Sequence, residues 1–203
     1  MKGMVREVRF SDLSEVESEL DRLVRAKAIQ TSGTWSFSQI LNHTAEAIEQ
    51  SMSKYPMLLP AIIRKTLGQW SFSRMTKRGY MAKGIFNPSA PRKFAEGDSD
   101  AAMKRLRKAL KTFREYNGSM AVHPLYDQLK KPDFEKLHTM HIANHLSYVE
   151  PVDAVATKGK SMTDGVSGRG PKSAKPGQKA RGLTGRAAKS KSGKKGAKGS
   201  KRK

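Results

Sequence analysis

Between Ser11 and Lys27, apolar side chains recur at Leu13, Val16, Leu20 and Leu23, with Glu15, Glu19 and Arg22 between them. Steps of three and four residues place all four on one stripe, which predicts a first amphipathic helix. Ser11 or Ser14 can cap its start, and Ser14 with Glu17 has capping-box spacing. Thr31-Ser32-Gly33 breaks the pattern. A second helix is expected from Ser36, with Gln39 completing another capping box. Phe37, Ile40, Leu41, Ala47 and Ile48 form its stripe, with His43 and Thr44 in the turn between, and it ends before Pro56.

Residues 56–97 are less regular. Pro60 to Leu67 reads as a short helix that Ser71 to Lys77 continues, and Gly79, Gly84, Pro88, Pro91 and Gly97 mark a long connection. From Asp98 to Tyr116 the helical period returns through Met103, Leu106, Leu110 and Phe113, with Lys104, Arg105, Lys108 and Lys111 on the other side, until Asn117-Gly118 stops it. A loop with His123-Pro124 follows. Pro132 opens a last helix that runs to about Val149 and stops at Pro151. No segment sustains strand alternation. The expected fold is all-α: four principal helices with the long connection between the second and third.

Charge divides the chain in two. Of a net +22, the last 46 residues supply +15, with 16 Lys/Arg against Asp164 alone. Lys158 to Lys203 repeats Gly, Lys, Ser and Ala without an apolar stripe, so it is expected to be a disordered tail behind a domain at 1–157. No Phe, Tyr or Trp follows Tyr148. The tail therefore suits sequence-blind contact with nucleic acid or another polyanion, weakening with salt by a log–log slope of about −0.9 per phosphate. Gly165-Val166-Ser167-Gly168-Arg169-Gly170 follows no strand and lacks a Gly-Lys-Ser/Thr ending, so it is not a phosphate loop. The absence of Cys excludes disulfides, thiolate metal sites and a cysteine nucleophile. With no apolar run near membrane-spanning length and no signal-peptide core in Met1–Phe10, the expectation is a cytoplasmic protein with no membrane partner. Arg64, Lys65, Arg74, Lys77 and Arg78, scattered among apolar residues, read as a solvated face, or as the lining of an anionic pocket.

The histidines are the candidate chemistry. His141 and His145 stand four apart on the last helix, so their rings stack one turn apart and can meet one divalent ion. His43 sits on or beside the inward stripe of the second helix, from which a bundle can bring it opposite that pair. Spacing alone also fits ordinary polar surface or a satisfied core pair. His138, three residues before His141, is a candidate to support the ligands by hydrogen bonding or to compete with them. His123 is a candidate for the same supporting role, although a structural loop contact is the plainer reading.

Two segments carry a family resemblance. Trp35-Ser36-Phe37-Ser38-Gln39-Ile40-Leu41-Asn42-His43-Thr44 resembles the opening of the second helix in DinB-like proteins. His123-Pro124-Leu125-Tyr126, with Phe134 to Leu146 and its His-x-x-x-His, resembles the last helix of the domain-of-unknown-function 1569 branch. Together they cover roughly residues 8–150. The resemblance implies a four-helix bundle holding a divalent metal (Zn, Ni, Mn or Fe) on His43, His141 and His145. Related branches include metal-dependent transferases and isomerases that use low-molecular-weight thiols, so the expectation is a metal-dependent transferase with such a thiol as cosubstrate, or a hydrolase, acting on an unidentified small-molecule substrate. Asn144 stands where branch members often place another His, which weakens any inference about groups behind the ligands. The alternative is a non-enzymatic helical binding module that the basic tail delivers to nucleic acid. A homodimer through helix faces stays open.

Overall fold

A computed structural model describes residues 5–83 and 96–152. The expectations for the tail at 158–203, for Gly165–Gly170 and for residues 84–95 of the long connection lie outside these residues. The described chain is mostly helical, with one small sheet. In order come α1 (Leu13–Arg25), β1 (Ala28–Thr31), α2 (Phe37–Met52), α3 (Ala61–Ile63), a π turn (Arg64–Gly68), α4 (Gln69–Arg78), α5 (Ser99–Glu115), α6 (Lys131–Leu146) and β2 (Val149–Val152).

The predicted stripes build the core. Leu13, Val16, Leu20 and Leu23 of α1 are buried, as are Ile40, Leu41, Ala45 and Ile48 of α2 and Met103, Leu106, Leu110 and Phe113 of α5. Ala45 takes the place expected for Ala47. Helix α2 packs against α5 and α6, and α1 against the same two. Helix α6 is covered on most sides, burying Phe134, Leu137, His138, Thr139, Met140, Ile142, Ala143 and Leu146.

Helix starts follow local chemistry. Ser36 and Gln39 form the expected capping box of α2. Helix α1 departs from expectation: its cap is Asp12, whose carboxylate accepts from the N–H groups of Ser14 and Glu15. The side chain of Glu15 reaches back to accept from the Ser11 N–H at 2.7 Å. A carboxylate also suits the positive end of the helix better than a hydroxyl does.

The all-α expectation needs a correction. Strands β1 and β2 pair antiparallel, with Ala28 opposite Val152 and Thr31 opposite Val149. The last helix therefore ends at Leu146 rather than near Val149. Each strand has four residues, too few to show alternation, and Pro151 argues against a strand except in a ribbon whose strands are all edges. The pairing joins the exit of α1 to the exit of α6. Arg6 reinforces that corner: its guanidinium donates to Glu19 at 2.7 Å and to the Leu146 carbonyl at 3.2 Å.

Helix α5 does more with its cations than coat a surface. Arg105 makes a two-pronged pair with Glu49 of α2, at 3.0 and 2.6 Å, and Arg107 and Arg114 reach Asp21 and Glu17 of α1. Half-exposed pairs of this kind contribute under about 1 kcal/mol each, so they orient helices that the core already holds.

The run from α3 to α4 docks on the loop at 123–127. Arg64 of the π turn pairs with Asp127 and donates to the Leu59 carbonyl, and Gln69 donates to the Tyr126 carbonyl. Gly68 makes the approach feasible: a Cβ there would stand 1.9 Å from the Leu125 carbonyl oxygen. Gly68→Ala should therefore destabilise the protein by about 1–3 kcal/mol. Gly97→Ala, where a Cβ meets nothing within 4 Å, should stay within about 0.5 kcal/mol. Urea unfolding of the two variants checks this; equal costs would contradict the docking.

Candidate metal centre

Two helices supply the site. The capping box fixes the start of α2, and Ile40, Leu41 and Ile48 seat it in the core. That leaves His43 on the inward side, 5% exposed. On α6, His141 and His145 lie one turn apart, as their spacing predicts, and are half-buried. The packing of α2 on α6 brings all three together: one ring nitrogen from each lies within 4.8 Å of the others. His141 Nε2 faces His43 Nε2 at 3.1 Å and His145 Nε2 at 3.0 Å.

Trp35, just ahead of α2, touches two of the rings. It stacks on His145 at 5.6 Å and meets His43 edge-on at 4.9 Å. An indole in that position limits rotation of both imidazoles. Sequence reasoning used Trp35 only as a motif residue and missed this contact; its one signal was an aromatic directly before the helix that carries His43.

Burial keeps the rings uncharged. It pulls the pKa of His43 down to about 4 and that of His145 to about 3, the latter helped by repulsion from His43. His141 is held well below 6.5, first by burial and then by its histidine neighbours. Neutral imidazoles offer lone pairs, as metal ligands must.

The donor set fits a divalent ion. A neutral ring nitrogen carries either one proton or one in-plane lone pair. His141 Nε2 can therefore satisfy only one of its two close nitrogen neighbours by hydrogen bonding. A cation accepting all three lone pairs satisfies the cluster at once. Two ligands of one ion at about 2.1 Å stand at most roughly 4.2 Å apart. The two short pairs already suit sharing, and the widest separation asks for only a small side-chain adjustment.

The other two histidines have their own partners. His138 is buried among aromatics, edge-on to Phe113 at 5.1 Å and stacked on Phe134 at 5.7 Å. Its Nε2 lies 3.0 Å from Ser51 Oγ, and that hydroxyl donates to the Ile48 carbonyl at 2.6 Å. With the hydroxyl proton so committed, His138 is the donor. His123 holds its loop: Nδ1 accepts from the N–H groups of Leu125 and Tyr126, and the ring stacks on Tyr126 at 4.6 Å. Asn144 donates to the Met81 carbonyl at 3.0 Å, fixing the chain after α4 against α6 beside the pair. A cleft of about 350 Å³ runs there, lined by Arg6, Tyr80, Lys83, Met140 and Asn144 among others, on the face of α6 next to the imidazoles.

Burial also lowers the pKa of both His138 and His123 to about 3. A histidine depressed in the folded state binds its proton more readily once unfolded. It therefore favours folding fully above about pH 6.5, and the benefit drains away as pH falls toward the folded value. In the presence of a chelator, stability should be level from pH 8 to 7 and drop by about 2 kcal/mol or more between pH 7 and 4.5. Urea unfolding at stepped pH reads this; a level profile down to pH 4.5 would show that the rings are not buried as described.

Comparison with known proteins gives one match. No curated protein and no solved structure matches the chain. The model of the family described as "Protein of unknown function (DUF1569)" matches residues 3–152. That span carries α2, α6 and all three facing histidines, and the chain belongs to this family.

Proposed function

We propose that the protein is a divalent-metal-binding DinB-like four-helix bundle, built on α1, α2, α5 and α6, in which His43, His141 and His145 hold the ion. The observation that carries this reading is the cluster of three ring nitrogens within 4.8 Å, contributed by two helices. The proposed activity is metal-dependent transfer to or from a low-molecular-weight thiol, or hydrolysis. A bound divalent ion would lower the pKa of a coordinated thiol or water enough to supply a nucleophile at neutral pH. The chain's own part is to keep three imidazoles neutral by burial and to hold two of them against Trp35. Three protein ligands leave positions open for substrate. With no cysteine in the chain, a reacting thiol comes from the cosubstrate. For residues 158–203 we retain non-specific contact with nucleic acid or another polyanion, a reading that rests on charge alone.

Titration calorimetry on chelator-stripped full-length protein, with Zn, Ni, Mn and Fe(II) in turn, tests the metal reading. The expected result is about one ion per chain. His43→Ala and His141→Ala should each weaken binding by about a hundredfold or more, beyond what outlying groups contribute. Ser51→Ala, which removes the hydroxyl shared by His138 and the Ile48 carbonyl but touches no ligand, should leave it within about tenfold. Absence of binding for all four ions, or equal binding by the triad variants, would refute the assignment.

A further inference from the structure

The surface of the α3–α4 run is not used by the histidine site. Gly68, Phe72 and Met75 face inward and are buried, which fixes the opposite side outward. Ile62 is 71% exposed, and Leu67 and Trp70 are each 60% exposed. Met57, Leu58 and Ile63 add to the same stretch, so most large apolar side chains exposed among the described residues fall within residues 57–70. Scattered exposed apolar residues are ordinary; a concentration of them marks a contact surface.

Charge selects the partner. Between Glu49 and Glu96 the chain carries no acidic residue and nine Lys/Arg. Lys65, Arg74, Lys77 and Arg78 are exposed on or beside the apolar stretch. Arg74 lies over the Trp70 ring at 5.6 Å, and Arg78 over Tyr80 at 4.6 Å. Along the chain Ile62, Ile63 and Leu67 come first, with Lys65 among them, then Trp70, then Arg74, Lys77 and Arg78, and Tyr80 lies just past the helix end. Tryptophan and tyrosine favour a boundary between apolar and polar surroundings, because the ring body is apolar and its edge is polar.

We propose that this face docks peripherally on a bilayer containing anionic phospholipid. Such a surface offers both features the face asks for: acyl chains to cover Ile62, Leu67 and Trp70, and negative headgroups for the cations. A second copy of the chain would match the apolar part but set cations against cations, with no acid in the stretch to pair them. A nucleic acid would match the cations and leave the apolar side chains in water. The sequence expectation of no membrane partner rested on the absence of a spanning run and of a signal-peptide core, and this proposal departs from it. Among the described residues no helix is long and apolar enough to cross a membrane, and a docked face requires none.

The test uses the full-length chain with vesicles of phosphatidylcholine mixed with phosphatidylserine, and with pure phosphatidylcholine, with brominated acyl chains as quencher. With the mixed vesicles tryptophan emission should shift to the blue and be quenched, and Trp70→Phe should remove that change. Pure phosphatidylcholine should bind at least about tenfold more weakly. The exposed-site double variant Ile62→Glu/Leu67→Glu, with far-UV circular dichroism as its folding control, should also bind mixed vesicles about tenfold or more weakly. Vesicle binding without a change in Trp70 emission would assign the contact to the basic tail and overturn the proposal. So would equal binding by the double variant, or a solution dimer that the double variant dissolves while vesicles leave the emission unchanged.

Discussion

The approach of His43 on α2 to His141 and His145 on α6 is the interaction on which the rest depends. Three imidazoles share one small volume, with His141 Nε2 at 3.1 and 3.0 Å from its two neighbours. Such an arrangement tolerates no accumulation of charge. Each proton added costs desolvation and repels the next, which is why burial and neighbouring histidines hold the pKa values down. The cluster persists as neutral rings or as ligands of a cation, and everything around it bears on which helices meet and where.

The supporting structure acts on those two helices. Burial of α2 against α5 and α6 sets their spacing, and the half-exposed Arg105–Glu49 pair helps orient α5 on α2. At the far end of α6, the short sheet and Arg6 tie down the chain after Leu146. His138, bonded to Ser51, crosses between α6 and α2 inside the core, one helical turn before His141. A polar link between the same two helices resists their sliding, because sliding would leave a buried nitrogen without its partner. Two of the five histidines thus serve position: His138 inside the core and His123 in its loop.

Much of this was legible in the amino-acid sequence. The stripes of α1, α2 and α5 were readable because each faces the core on one side and water on the other. The capping box at Ser36 and the stop at Asn117-Gly118 follow from side-chain chemistry next to the backbone. The pairing of His43 with the last helix could be expected from its place on an inward stripe. The sheet was hidden, since four-residue strands with Pro151 between them carry no period. So was the extent of α6 burial, because a helix covered on most sides shows no contrast between faces. The cap at Asp12 was overlooked because hydroxyl residues flank it. The exposed stretch around Trp70 was visible as a mixture of apolar and basic residues. Only the inward placement of Gly68, Phe72 and Met75 turned that mixture into a face.

The exposed side chains of the α3–α4 face and the three clustered histidines are different residues of one chain. Membership of a family without an assigned activity leaves chemistry as the guide, and the chemistry begins at the three ring nitrogens. X-ray absorption spectroscopy of the metal-loaded protein tests that point most directly. The account predicts the multiple-scattering signature of three imidazoles around the ion, with Zn–N distances of about 2.0–2.1 Å, reduced to two in His43→Ala. A spectrum without imidazole scattering, or one unchanged by that substitution, would contradict it.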